Sequence, residues 1–209
     1  MIAKTVEQDV RHADVPAPSG WVQRWSHLVV PGGVVLDVAC GRGRHARWFH
    51  ALNHPLVLVD QDAAAIDAIA LPAQACEAVV ADIENGPWPF AGRQFDAVVV
   101  TNYLWRPLLP TLLDSLAPGG ALLYETFAQG NETVGKPSRP DFLLRPGELL
   151  QACRALRIVA FEDGFLDAPD GRSPRFVQRI AAIREPAPRT HAGTSQPGTA
   201  SGPPRHRLR

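Results

Sequence analysis

The chain has 209 residues with 21 basic and 21 acidic side chains, 45% hydrophobic and 20% charged. That length suits one domain with room for a tail, and the apolar content excludes wholesale disorder. No apolar run approaches the roughly 20 residues of a membrane helix, and Met1–Asp14 has no apolar core that would make it a signal peptide.

Cys40, Cys76 and Cys153 lie far apart, a spacing that fits neither a disulfide framework nor a zinc site. They imply a reducing cytoplasm. The zero net charge hides an asymmetry. Residues 186–209 carry four arginines and no acid, so residues 1–185 hold 17 basic and 21 acidic residues, a net of −4. An acidic body does not look like a nucleic-acid surface.

Taken in chain order, the body alternates between two periodicities. Residues 1–19 form an extension. Gly20–Val30 sets Trp21, Trp25, Leu28 and Val29 on one helical face. Val34–Val38 reads as a strand, Ala39–Gly43 as a tight turn, and a helix follows to about Asn53. Leu56–Val59 is a second strand closed by Asp60, and Asp62 caps a short helix to Ala70. Ala78–Ala81 is a third strand ending at Asp82, and Phe95–Val100 a fourth. Leu108–Leu116 reads as a helix stopped by Pro118-Gly119-Gly120, before a fifth strand at Ala121–Phe127. Pro146–Ala155 is a helix with proline in its first turn.

Arg157–Leu166 and Arg175–Ile183 are then two strands with no helix between them, joined by a turn at 167–172. They form a hairpin, so the last strand runs antiparallel to the sixth. The predicted fold is α/β: a doubly wound, seven-stranded, mostly parallel sheet with its last strand antiparallel and helices on both faces. This domain spans residues 20–185. Residues 186–209, rich in Pro, Gly, Ser and Thr without apolar periodicity, read as a disordered basic tail.

The chemistry concentrates at the carboxyl ends of the first three strands. In Val35-Leu-Asp-Val-Ala-Cys-Gly-Arg-Gly-Arg-His45, Gly41 and Gly43 let backbone approach a ligand, and the next helix offers free N–H groups. Asp37, just before the turn, suits a ligand ammonium and opposes a pyrophosphate. Asp60 stands where a carboxylate chelates a ribose diol. Asp82 suits an adenine amino group, with Ile83 covering the ring. Each Asp also has a bland reading as a cap of the turn or helix after it. Three in register on one rim favour a ligand site. Gly41-x-Gly-x-x-Ala46 also satisfies the dinucleotide fingerprint, which keeps a nicotinamide-dependent oxidoreductase as an alternative. Against it stand Asp37, the terminal hairpin, and the lack of a lysine four residues after Tyr103 or Tyr124.

These residues, with the Phe95-Asp-Ala-Val-Val strand and Leu116-Ala-Pro-Gly-Gly120, resemble the class I S-adenosylmethionine (SAM)-dependent methyltransferases. Gly41-Arg-Gly-Arg-His45, Phe142-Leu-Leu-Arg-Pro-Gly-Glu-Leu149 and Asp170-Gly-Arg172 resemble the bacterial tellurite-resistance-type group among them. Ala39 departs from the glycine many members carry, and is expected to narrow the turn without blocking it.

The resemblance implies SAM as cofactor, held by Asp37, Ala39, Gly41, Gly43, His45, Asp60, Gln61, Asp82, Ile83 and Asn102. His45 is the expected contact to the cofactor carboxylate. It implies methyl transfer to a small-molecule acceptor, with no nucleic acid or membrane as partner. A module that binds SAM without turnover is a further alternative. Tyr103 and Trp105 are expected to wall the sulfonium by cation–π contact. No general base stands out. Tyr103, Glu125 and Asp141 are the catalytic candidates. Trp105, Arg106, Asn131, Glu132, Lys136 and Arg145 are the substrate candidates, the last four from a long loop at 129–145 that reads as a lid. Arg145 or Arg179 would suit an anionic acceptor. His45, His50 and His54 do not share a metal-binding face, and no metal is expected. Cys40 reads as a small buried filler of the turn.

Overall fold

The computed structural model describes residues 16–167, 173–186 and 206. Most of the extension, residues 168–172 of the hairpin turn and almost all of the basic tail lie outside these residues.

Seven strands form one sheet: β1 (Val35–Val38), β2 (Leu56–Asp60), β3 (Cys76–Val80), β4 (Phe95–Thr101), β5 (Leu116–Phe127), β6 (Arg157–Leu166) and β7 (Arg175–Ile183). Their order is β3-β2-β1-β4-β5-β7-β6. The pairs from β3 to β5 are parallel, and β7 is antiparallel to both β5 and β6. The hairpin thus inserts its second strand between β5 and its first. Strand order reverses between β1 and β4, and their carboxyl ends open a crevice there, the usual ligand position in such sheets.

The central strands are apolar on both sides because both faces are covered. Helices α1 (Gly20–Trp25), α2 (Arg44–Ala51) and α3 (Ala63–Asp67) lie on one face. Trp21, Trp25, Phe49 and Ile66 pack there against Val35, Leu58, Val99 and Leu123. Helices α4 (Leu109–Asp114) and α5 (Glu148–Ala152) take the other face, where Leu112 and Leu149 meet Leu36, Val98, Val100 and Leu122. At about 25 cal/mol per Å² of apolar area, this two-sided burial dominates the fold's stability. Among the described residues no helix is long and apolar enough to cross a membrane.

Several boundaries differ from the expected ones. The first helix stops at Trp25 and tightens into a 3-10 turn over Ser26–Leu28, leaving Val29 extended and buried. The third strand ends at Val80, so Asp82 sits two residues beyond it. The fourth helix ends at Asp114, and β5 begins already at Leu116. Pro118-Gly119-Gly120 is therefore a kink inside a long strand, where the β4–β5 register shifts. A Cβ on Gly120 would stand 2.8 Å from the carbonyl oxygens of Ala117 and Phe95, so the close backbone approach explains the glycine. The fifth helix starts at Glu148 after Gly147, whose φ is 69°, leaving Pro146 outside the helix.

Candidate functional site

The turn between β1 and α2 is a succession of left-handed residues. Ala39, Gly41 and Gly43 have φ of 51°, 52° and 73°. Ala39 pays a conformational cost there, about 1–2 kcal/mol for an L-residue in this region. The turn folds back over Asp60, whose Oδ2 accepts from the Gly41 N–H at 2.8 Å while Oδ1 accepts from the Asp62 N–H at 2.9 Å. Asp60 thus ties the β1 turn to the end of β2. Asp62 caps α3 as expected from its position, accepting from the Ala64 and Ala65 N–H groups.

Beneath the turn lies Asp37, 1% exposed. One side-chain oxygen, Oδ2, is buried with no hydrogen-bond partner. The Ala46 N–H and the Arg44 charge favour its anion, but burial outweighs them and the Asp60 charge adds to it. Together they push its pKa from 3.8 up to about 7. A buried carboxylate oxygen without a donor is costly, and either a retained proton or a cation relieves it.

Two adjoining clefts open on this rim. One, about 360 Å³, is lined by Ala39, Gly41, Arg44, Thr101 and Asn102 among others. The second, about 130 Å³, is lined by Asp60, Gln61, Asp82, Ile83 and Glu84. Ala39 and Tyr103 border both. The structure therefore brings Ala39, Gly41, Asp60, Gln61, Asp82, Ile83, Asn102 and Tyr103 to one contiguous groove. Gly43 stays in the turn as the residue that opens α2. Asp82 also acts as a local cap, accepting from the Glu84 and Asn85 N–H groups at 3.0 Å and from Asn85 Nδ2. These donors hold its carboxyl below the usual range. Tyr103 is half-buried, and burial, with Glu84 close to its hydroxyl, raises its pKa. Asn102 holds φ at 56°, and its N–H donates to the Glu125 carbonyl.

His45 lies elsewhere than expected. It is 1% exposed, and its Nε2 accepts from the Ser19 N–H at 3.2 Å. It anchors the start of α1 and does not line either cleft. Arg44, one residue earlier, does, and sequence reasoning missed it. Its guanidinium donates to Thr101 Oγ1 at 3.1 Å and counters the Asp37 charge. The signal was available: a cation in the first turn of a helix opposes the dipole, so a local anion must hold it there.

Glu125, 2% exposed, falls on the α1 face of the sheet. It accepts from Ser19 Oγ at 3.1 Å and from Arg179 at 3.4 Å, and Arg179 also pairs with Glu162. That ion network pins α1 to the sheet, and Arg179 is committed to it. Arg106 donates to both carboxylate oxygens of Glu148 and to the Asp141 and Leu143 carbonyls, at 2.6–2.9 Å. It clamps α5 and the loop before it. Trp105 packs partly buried against the core on the α4–α5 face and lines neither cleft. Asp141 is exposed and paired with Arg139.

The loop at 129–145 is stitched at its base by the Gln129 and Leu144 N–H groups, which donate to the Leu144 and Phe127 carbonyls. Asn131 is buried and works inside the loop, donating to the Pro137 carbonyl and accepting from the Phe176 N–H. Glu132 accepts from the Gly130 N–H. Arg145 contributes backbone contacts to Glu148 and Gln178. Lys136 lines a further cavity beside the groove. Cys40 is buried in the turn, and burial pushes its thiol above the ordinary range, which suits a filler rather than a nucleophile. Among the described residues no group of three or more His, Cys, Asp or Glu gathers as a metal site.

Residues 35–120 match a family model described as a methyltransferase domain. No curated protein matches the chain. Among solved structures it is similar to TehB from Haemophilus influenzae, at 18% identity and a TM-score of 0.67, covering 82% of this chain and 64% of that one. The chain thus spans less than two thirds of TehB's length. It is also similar to an S-adenosylmethionine-dependent methyltransferase from Mesorhizobium loti, at 18% identity and a TM-score of 0.60, covering 77% and 97% of the two chains. The glycopeptide N-methyltransferase MtfA in complex with S-adenosyl-L-methionine gives 18% and 0.55, covering 79% and 92%. The chain has the class I methyltransferase fold and resembles TehB within it.

Proposed function

We propose that this protein is a SAM-dependent methyltransferase acting on a small-molecule acceptor. The observation that carries the reading is the buried, unpartnered Asp37 oxygen beneath the left-handed turn whose Ala39 and Gly41 line the groove, although Asp37 itself lines neither cleft. SAM carries both an ammonium, which Asp37 would accept, and a carboxylate, for which Arg44 and the turn's backbone are suited. Asp60, with Gln61 beside it, would take the ribose hydroxyls. Asp82 and Ile83 would take the adenine edge and face. Bound there, SAM supplies a methyl group already activated by its positively charged sulfur.

The chain's own task is then to position and to exclude water. The Tyr103 ring borders both clefts and offers a π-face to a cation. Asn102, held in a left-handed conformation just after β4, lines the same groove. Glu125 is locked to Arg179 and Asp141 is paired at the surface, so neither is well placed to take a proton, and of the three candidates only Tyr103 borders the groove. A dinucleotide reading fares worse, because the Asp37 carboxylate lies beneath the turn that would face a pyrophosphate.

Calorimetric titration tests this. Binding of S-adenosylhomocysteine at micromolar dissociation constant, without binding of NADH or NADPH, is expected. The reverse pattern refutes it.

A further inference from the structure

Thr101 is the last residue of β4, lines the larger cleft and is 8% exposed. Its hydroxyl lies between two nitrogen groups. Arg44 donates to Oγ1 at 3.1 Å, and His45 Nδ1 meets the same oxygen at 3.5 Å.

The direction of the second bond is fixed at the far side of the ring. His45 Nε2 accepts from the Ser19 N–H at 3.2 Å, so that nitrogen carries no hydrogen. A neutral imidazole bears its hydrogen on one nitrogen, here Nδ1, and Nδ1 therefore donates to Thr101. A hydroxyl has two lone pairs and one hydrogen. Arg44 and His45 occupy both lone pairs of Thr101, and among the described residues no group accepts its hydrogen. A buried donor without an acceptor is costly. The protein side of the oxygen is filled by donors, so the hydrogen is left to the groove. The Arg44 cation, already committed to this oxygen, polarises the O–H and strengthens it as a donor.

The register says which part of a ligand meets that donor. Asp37 pairs with Val99, and Thr101 stands two residues further along β4 on the same face, roughly 7 Å on. The proposed function brings a ligand ammonium to Asp37. At the amino-acid end of SAM the carboxylate shares a carbon with that ammonium, which sets an anion within the span from Asp37 to Thr101. Resting on the methyltransferase reading, we infer that the Thr101 hydroxyl is a cofactor-binding group that donates to the SAM carboxylate, its hydrogen turned outward by Arg44 and His45. The site then selects donors that keep the whole amino-acid end.

Calorimetry on the full chain tests this with two probes, S-adenosylhomocysteine and its decarboxylated analogue, which has hydrogen in place of the carboxylate. The wild type is expected to bind the first at least tenfold more tightly. Thr101→Val, which keeps the shape and removes the hydroxyl, is expected to weaken S-adenosylhomocysteine at least fivefold and to change the analogue by less than twofold. Thr101→Ser, which keeps the hydroxyl, should hold S-adenosylhomocysteine within twofold of the wild type. Thr101→Ala carries the same comparison if the valine variant does not give a native circular dichroism spectrum. Equal binding of the two probes by the wild type, equal weakening of both in the variant without the hydroxyl, unchanged S-adenosylhomocysteine affinity in that variant, or a loss in folded Thr101→Ser as large as in Thr101→Val each overturns the inference alone. Failure of the wild type to bind either probe overturns the methyltransferase reading and this inference with it.

Discussion

Replacing Asp37 with asparagine sets the cofactor reading against the stability of the fold. Burial moves the Asp37 pKa from 3.8 to about 7. That shift of about three units corresponds to roughly 4 kcal/mol, at 1.36 kcal/mol per unit. The folded-state value is the higher one, so between about pH 4 and 7 the native protein keeps a proton that the unfolded chain has released. The native state therefore loses stability as pH rises through this window, and the cost is complete above it. Asparagine stays neutral throughout. Its amide adds a fixed penalty of about 1–3 kcal/mol for an unpartnered N–H, independent of pH. Urea unfolding without cofactor should show Asp37→Asn more favourable, relative to wild type, at pH 8 than at pH 4.5 by roughly 3 kcal/mol. The same variant should bind SAM at least tenfold more weakly, because the ligand ammonium loses a charged acceptor. A relative stability that does not change with pH, or one that changes the other way, refutes the account of Asp37. Unchanged SAM affinity refutes its assigned role.

Wild-type SAM affinity should rise from pH 6 to pH 8 as Asp37 releases its proton, and a flat titration profile would exclude that ion pair. Asp60→Ala should weaken SAM binding by about 1–3 kcal/mol through lost charge-assisted bonds to the ribose, measured by calorimetry on protein with a native circular dichroism spectrum. Arg106→Ala should lower unfolding stability by about 1–3 kcal/mol, since it removes the ion pair with Glu148 and the donor to two carbonyls. SAM affinity should not change in that variant, and a selective loss of affinity would return Arg106 to the site. Ala39→Gly should leave stability unchanged or raise it by up to about 1 kcal/mol, because glycine adopts φ near 51° without a Cβ clash; a loss of stability in denaturant melts would show that the methyl group packs.

The strand–helix alternation, the terminal hairpin and the acidic ends of the first strands were legible from the sequence, because each is a local pattern. Apolar runs of four to six residues, glycines between strand and helix, and the two helix-free strands at the end sufficed for the sheet and its reversed strand. The rim on which Asp37, Asp60 and Asp82 meet followed from the strands being parallel. Local signals failed where long-range pairing decided the outcome. Pro118-Gly119-Gly120 reads as a helix stop, yet it became a kink within β5, since Leu116 already pairs with Phe95.

Side-chain direction was the other limit. Arg106, Asn131 and Glu125 are polar residues on or near the ligand rim, and their spacing says nothing of their partners. Folding commits them to Glu148, to the loop's own backbone and to Arg179, because a buried polar group must be paired with whatever lies beside it. The substitution of Arg44 for His45 in the groove has the same origin. Neighbours on a helix point about 100° apart, and only the packing of α2 against the sheet chose which of the two faces the groove. The sequence determined that the acidic strand ends and the glycine turn share one rim, through the parallel run of the strands and the turn chemistry. The tertiary structure decided which charges on that rim are tied into internal pairs, because each pairing joins residues far apart in the chain.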